Sequence, residues 1–222
     1  RIDNGDWELQ QAEKECAERH AALKTAATAL TESRRKAAGM LQEKIVAILV
    51  NLGMPMIRFE VVMEHAGSFT PQGSDVVTFL FSANSIGTPQ PLADVASGGE
   101  MARVMLALKS LVATCTDQPT LIFDEIDTGI SGKTSRKVGI KLKEIGREAQ
   151  VICVTHSAQI ASLAHTHLFV SKKEVDGRTE SAVSLLDDDA RVSEIARILG
   201  GIEITSAQRV AALEMISEGK SY

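Results

Sequence analysis

The sequence predicts an α/β fold, a largely parallel sheet flanked by helices, entered by one very long N-terminal helix. Three observations carry this expectation. Two short apolar stretches, Thr120 to Phe123 and Val151 to Val154, alternate with helix-spaced segments, the pattern of parallel strands covered on both faces. From about Asp6 to Leu52 there is no proline and Gly39 is the only glycine, which permits one helix of about 47 residues, roughly 70 Å at 1.5 Å per residue. Between Leu92 and Ser131 the chain concentrates small residues and acids: Ser97-Gly98-Gly99-Glu100, then Leu121-Ile122-Phe123-Asp124-Glu125, with 27 positions from Ser97 to Asp124.

Along the long helix Leu9, Cys16, Leu23, Leu30 and Ala37 recur every seven residues, then Leu41, Ile45, Ile48 and Leu52 follow at steps of three and four. The companion positions Ala12, Arg19, Ala26 and Ser33 are poor in large apolar residues, so the seam calls for a partner helix. Residues 1–52 are therefore read as a coiled-coil arm and 53–222 as a globular body. Gly53-Met54-Pro55 ends the helix, because proline cannot continue it. Ile57 to Met63 and Val76 to Phe81 read as a hairpin with a long loop from Gly67 to Ser74, and Ser82 to Pro91 as a second loop. After Gly99, residues Met101, Val104, Met105, Leu108, Leu111, Val112 and Cys115 keep helical spacing. A polar helix is expected from Ser131 to Glu148 and a short one from Ala158 to Ala164. Strands at His167 to Ser171 and Ser181 to Leu186 flank the turn Asp176-Gly177, and helices at Arg191 to Leu199 and Ala207 to Ile216 follow.

Composition narrows the classes. A chain of 222 residues with 44% apolar content can bury a substantial core, and no apolar run approaches the roughly 20 residues of a membrane span. The three cysteines, Cys16, Cys115 and Cys153, are widely spaced and odd in number, which argues against a disulfide framework or zinc site and favours a reducing cytoplasm. The net charge is −5, with 8 basic and 8 acidic residues in 1–52, so contact with nucleic acid needs a local patch. Because the chain opens on Arg-Ile-Asp, it reads as part of a longer protein, or a processed or engineered piece.

In an open parallel sheet, ligands sit beyond the carboxyl ends of the strands. Asp124 and Glu125 follow one strand and Thr155 and His156 the other, so two acids and an imidazole should meet at one edge. Paired acids suit magnesium-assisted phosphoryl transfer, one carboxylate holding the metal and the other orienting water. Read singly, they could be a cap or turn and His156 a satisfied loop histidine. Ser97-Gly98-Gly99 can offer N–H groups and a hydroxyl to an anion at a helix N-terminus, or simply form a cap.

In this order and spacing SGGE, LIFDEID and VTH resemble the signature motif, Walker B with D-loop, and switch histidine of ABC-type ATPases. The long helix is similar to the coiled-coil arm of their SMC-like branch. More narrowly, LADVASGGEMARVMLALK, IFDEIDTGISGKTSRKVG, VTHSAQIASLAHTHLFVSK and EIARILGG resemble the C-terminal part of a bacterial DNA double-strand-break repair ATPase of that branch. The resemblance implies an ABC-type P-loop ATPase head, here its C-terminal half. Ser97, Gly98, Gly99 and the adjoining Glu100 would bind the γ-phosphate of ATP held on a second head of a homodimer. Asp124 would serve Mg2+, Glu125 polarise water, Asp127 lie in the D-loop across the dimer interface, and His156 act as the switch.

The family's GxxxxGK[ST] loop is missing. Gly132-Lys133-Thr134 has Asp127 where the first glycine belongs, directly follows the D-loop, and is read as not lying between a strand and a helix. The Walker A lysine and Q-loop glutamine are then expected in an N-terminal half-head outside this chain, and the chain alone should be nearly inactive. The basic run Lys133, Arg136, Lys137, Lys141, Lys143 and Arg147 could contact DNA or be a solvated face. The rival functions are a transporter ATPase subunit, which would need a P-loop before Ser97 and no arm, and a non-catalytic coiled-coil interaction module. His65, His165 and His167 receive no role.

Overall fold

A computed structural model describes residues 2–84, 86–94, 98–112, 120–175, 178–201 and 203–222. The chain divides into two compact units, Arg1–Ala47 with Ile57–Asp94, and Ile48–Met56 with Val95–Tyr222.

In the first unit, helix α1 (Ile2–Asn51) supplies all but its last residues. Strands β1 (Arg58–Thr70) and β2 (Gly73–Ser82) form an antiparallel hairpin, and β3 (Gln90–Pro91) adds a short edge. The long hairpin loop expected from Gly67 to Ser74 is replaced by strand: β1 continues to Thr70 and the chain turns at Pro71-Gln72. The reason is support from α1. Thr31 Oγ1 and Arg34 Nη1 donate to the two carboxylate oxygens of Asp75 at 2.7 and 2.9 Å, and Arg34 Nη2 donates to Gln72 O at 2.6 Å. Gln42 Oε1 accepts from Val61 N at 2.7 Å, covering one N–H on the outer edge of β1. Phe59 and Phe81, directly opposite in the register, are both buried.

In the second unit α1 ends at Gly53, where φ is +83° and the Met54 N–H reaches back to Leu49 O, a glycine C-cap. Helix α2 (Gly98–Val112), strand β4 (Thr120–Phe123), helix α3 (Gly132–Ile145) and strand β5 (Gln150–Cys153) follow. Strands β4 and β5 pair in parallel, as expected, with Ile122 opposite Ile152. Helix α4 (Ala158–Ala161) is one turn, shorter than its pattern suggested. Strands β6 (Leu168–Val175) and β7 (Arg178–Leu185) form an antiparallel pair, and α5 (Asp188–Gly200) and α6 (Ser206–Lys220) complete the unit. Residues Ala158, Ala161, Val192, Ile195, Ala196, Ala212 and Ile216 form one core of α4, α5 and α6.

Within this chain the strands keep some apolar side chains open to solvent. Leu121 and Phe123 are buried, but Ile122 is 70% exposed, and Ile152 and Val154 are exposed too. On the β6–β7 pair the opposed Leu168/Leu185 and Val170/Val183 are each more than half exposed. Among the described residues only β4 and β5 pair in parallel.

Candidate functional site

The parallel register puts the ends of β4 and β5 side by side, and the Val154 N–H donating to Phe123 O at 2.9 Å extends the ladder to the first loop residues. Past β4, Asp124 and Glu125 are exposed while Ile126 is fully buried and pins the turn. Glu125 is the one non-glycine residue with positive φ among those described, at +56°, a left-handed geometry that costs an L residue about 1–2 kcal/mol. Thr128 N donates to Glu125 O at 3.1 Å and closes the turn.

Asp127 faces inward. Its side chain is 1% exposed, and Oδ2 accepts from Thr155 Oγ1 at 2.5 Å and from the His156 N–H at 3.1 Å. The His156 Nδ1 lies 3.4 Å from the same oxygen, with that side chain 81% exposed. Thr155 Oγ1 also accepts from Ser157 N at 3.0 Å. One carboxylate thus ties the loop after β4 to the loop after β5, while its Oδ1 has no partner among the described residues. Beneath them burial, then Asp127 and Asp124, push the Cys153 thiol up to about 12.

Helix α2 starts against this turn. A Cβ on Gly98 would lie 3.4 Å from Glu125 Oε2, so the Glu125 carboxylate sits by the helix N-terminus. A Cβ on Gly99 would lie 2.5 Å from Thr128 O, a collision with backbone, so only glycine fits. Glu100 is half-buried in the first turn. Ser97 lies outside the described residues. The structure therefore gathers Gly98, Gly99, Asp124, Glu125, Asp127 and His156 around one edge. Two residues to which the sequence reading gave no role join them. Thr155 is the hydroxyl bridge, and Arg103 is buried on α2 with Nη1 3.4 Å from Thr128 O. The only advance signal for Arg103 was its place four residues from Gly99 and Ala107 on one helix face.

The donor set fits a hydrated magnesium ion, which takes one or two carboxylates and fills its other positions with water and phosphate oxygens. Asp124 is exposed and available for that, whereas the buried Asp127 oxygen is already engaged. Among the described residues no three His, Cys, Asp or Glu side chains cluster as an all-protein metal cage.

Two expectations change. Gly132-Lys133-Thr134 does lie between a strand and a helix, since it forms the first turn of α3 after the loop from β4. What separates it from a phosphate loop is the acids Asp124, Glu125 and Asp127 in that loop. The basic residues on and just past α3 are also largely engaged. Arg136 pairs with Glu218 at 2.7 Å, Lys143 donates to Gly219 O at 2.5 Å, and Arg147 donates to Tyr222 O, all on or just past α6. Lys141 pairs with Glu144 within the helix, while Lys133 and Lys137 are exposed. Arg191, near the unassigned His167, is a structural cap: its Nη2 donates to the carbonyls of Ala161, Ser162 and Ala164 at the end of α4. Burial and then Arg191 push His167 below the usual histidine range, against Glu194.

With this geometry in view, the fold is that of an SMC head domain. The chain aligns with the Smc head domain with a coiled coil and joint from Pyrococcus yayanosii at TM-score 0.55 and 21% identity, over 73% of this chain and 29% of that one. It aligns at TM-score 0.50 and 19% identity with a structure described under ATP-driven dimerization and DNA stimulated activation of SMC ATPases, over 78% of this chain and 99% of that one. No family model matches. In sequence the chain is RecN-like. It is 42% identical over 192 residues to the DNA repair protein RecN of Vibrio cholerae, 38% over 217 to that of Xylella fastidiosa and 34% over 232 to that of Bacillus subtilis. These alignments take in 86, 97 and 98% of this chain but 35, 39 and 40% of those proteins, so the chain spans well under half the length of the relatives it matches.

Proposed function

We propose that this chain is the C-terminal half of an ATP-hydrolysing, SMC-like head acting in DNA double-strand-break repair and recombination, with residues 1–52 as its arm and 53–222 as its half-head. The observation that carries the reading is that the Glu125 carboxylate lies beside the N-terminus of α2 while Asp127, in the same turn, is bonded to the His156 loop, on a chain RecN-like in sequence. Magnesium held by Asp124 would supply charge neutralisation at the phosphates of ATP. Glu125, exposed and fixed by its turn, would orient the attacking water and take its proton. His156, anchored through its N–H, would present its ring to the terminal phosphate. The N–H groups of Gly98 and Gly99, with Ser97 and Glu100 beside them, would receive the γ-phosphate of a nucleotide held by a second head, using the helix N-terminus as an anion site. Asp127 would act at the same interface through the turn it holds.

Two partners complete the site. One is the protein's own N-terminal half-head with the Walker A loop, and the other a second head. The apolar residues Ile122, Ile152 and Val154 support the first, since such surfaces on a sheet ask for a covering layer. So does the cleft of about 370 Å³ between α2 and β4, lined by Ala102, Met105 and Ile122. Head closure on ATP and reopening on hydrolysis would couple to DNA tethering in the cytoplasm, at the nucleoid. Among the described residues no helix is long and apolar enough to cross a membrane. The arm helix speaks against the transporter reading, and the RecN likeness speaks against both rivals.

The test is ATP turnover by the chain assembled with its N-terminal half. Glu125→Gln should cut kcat by about 100-fold or more while ATP still binds. Unchanged turnover in that variant would end the catalytic assignment.

A further inference from the structure

We propose that Arg103 is a positioning residue for Glu125, an inference that rests on the catalytic reading of Glu125 above. Two successive turns of one face of α2 close on a single carbonyl oxygen. Gly99 brings the helix backbone so near that a Cβ would stand 2.5 Å from Thr128 O, and Arg103, four residues on, aims Nη1 at the same atom from 3.4 Å. Thr128 ends the turn that Glu125 begins, its N–H donating to Glu125 O at 3.1 Å. The left-handed backbone of Glu125 is therefore held from both sides, by β4 before it and by the α2-anchored Thr128 after it. A non-glycine residue keeps such a conformation only where its surroundings over-determine it.

Arg103 is costly as packing alone. It is 6% exposed, and burial pushes its guanidinium below the usual arginine range, with Glu100 opposing. Its Nε has no partner among the described residues. A methionine would fill the space without desolvating a charge. What the guanidinium adds is a donor on Thr128 O. Any movement of α2 caused by what Gly98 and Gly99 bind is then passed through Thr128 to the backbone of Glu125, without contact between Arg103 and the reacting atoms.

The experiment uses the chain assembled with its N-terminal half and compares wild type, Arg103→Met, Arg103→Lys and Glu125→Gln. In Arg103→Met, kcat for ATP should fall about tenfold or more with KM changed less than about twofold, and Arg103→Lys should recover a large part of it. Hydrogen exchange gives a second readout that needs no turnover. The Thr128 amide should exchange about tenfold faster in Arg103→Met while the amides of β6 and β7 keep their wild-type rates. An unchanged Thr128 amide, or acceleration spread evenly over all elements, overturns the proposal, as does a loss carried by KM alone. If Glu125→Gln leaves turnover intact, the catalytic reading fails, and the Thr128 amide still decides whether Arg103 holds the turn.

Discussion

Asp127 is the residue on which the site's loops depend most directly. Its carboxylate is buried and serves the Thr155 hydroxyl and the His156 N–H from one oxygen. Charge-assisted hydrogen bonds of this kind are worth roughly 1.5–3 kcal/mol each, less the cost of burying the acid. Asp127→Ala should therefore lower unfolding free energy by about 2 kcal/mol, read as a lower urea midpoint with an unchanged slope. An unaltered midpoint would mean that Thr155 and His156 hold their loop unaided. At this scale the sequence was legible in position, since Asp124, Glu125 and His156 do lie just past the ends of β4 and β5. It was not legible where a side chain turns inward. Asp127 was placed at an interface with no sign that its carboxylate is buried, and Arg103, on a helix otherwise ordered by its apolar positions, was given no role. Both are fixed by contacts 25 to 29 positions away in sequence, which no local pattern carries.

Among the elements, α1 and the β1–β2 hairpin are joined through Asp75. Hydrogen bonds from Thr31 and then Arg34 hold its carboxyl below the ordinary carboxylate range, against a desolvation penalty. A depressed folded-state value contributes stability that is complete above the unfolded value, near pH 4, and is lost as pH falls through the folded one. The wild-type hairpin should lose protection on α1 below about pH 4, and Arg34→Met should flatten that acid dependence, followed by hydrogen exchange at Val76 and Val77. Equal acid profiles in the two proteins would contradict the role of the pair. The length of α1 was readable because a 50-residue helix needs only the absence of breakers. The hairpin tip was not, because its glycine and proline composition says loop while Asp75 and Gln72 are held by a helix remote in sequence. Helix α3 makes the same point for charge. Its amphipathic pattern is plain, but whether a cation faces solvent or an acid such as Glu218 depends on where α6 lies.

For the molecule as a whole, the apolar faces of the two strand pairs are the main departure from a self-sufficient domain. Val170 and Val183, paired across β6 and β7, and Ile122 beside Ile152 lie open. The isolated chain should associate with itself in a concentration-dependent way in sedimentation experiments. Val170→Lys with Val183→Glu, a cross-strand ion pair, should reduce this and weaken assembly with the N-terminal half about tenfold. A monomeric wild-type chain at high concentration would count against the open faces. The uninterrupted apolar strands signalled two covered faces, whereas within this chain Ile122, Ile152 and Val154 lie open. The Asp127 bridge has a consequence at this scale as well. Because one oxygen holds both loop ends, the acid turn and the histidine loop share a single degree of freedom, so relaxation measured at Thr128 and at His156 should report one common rate.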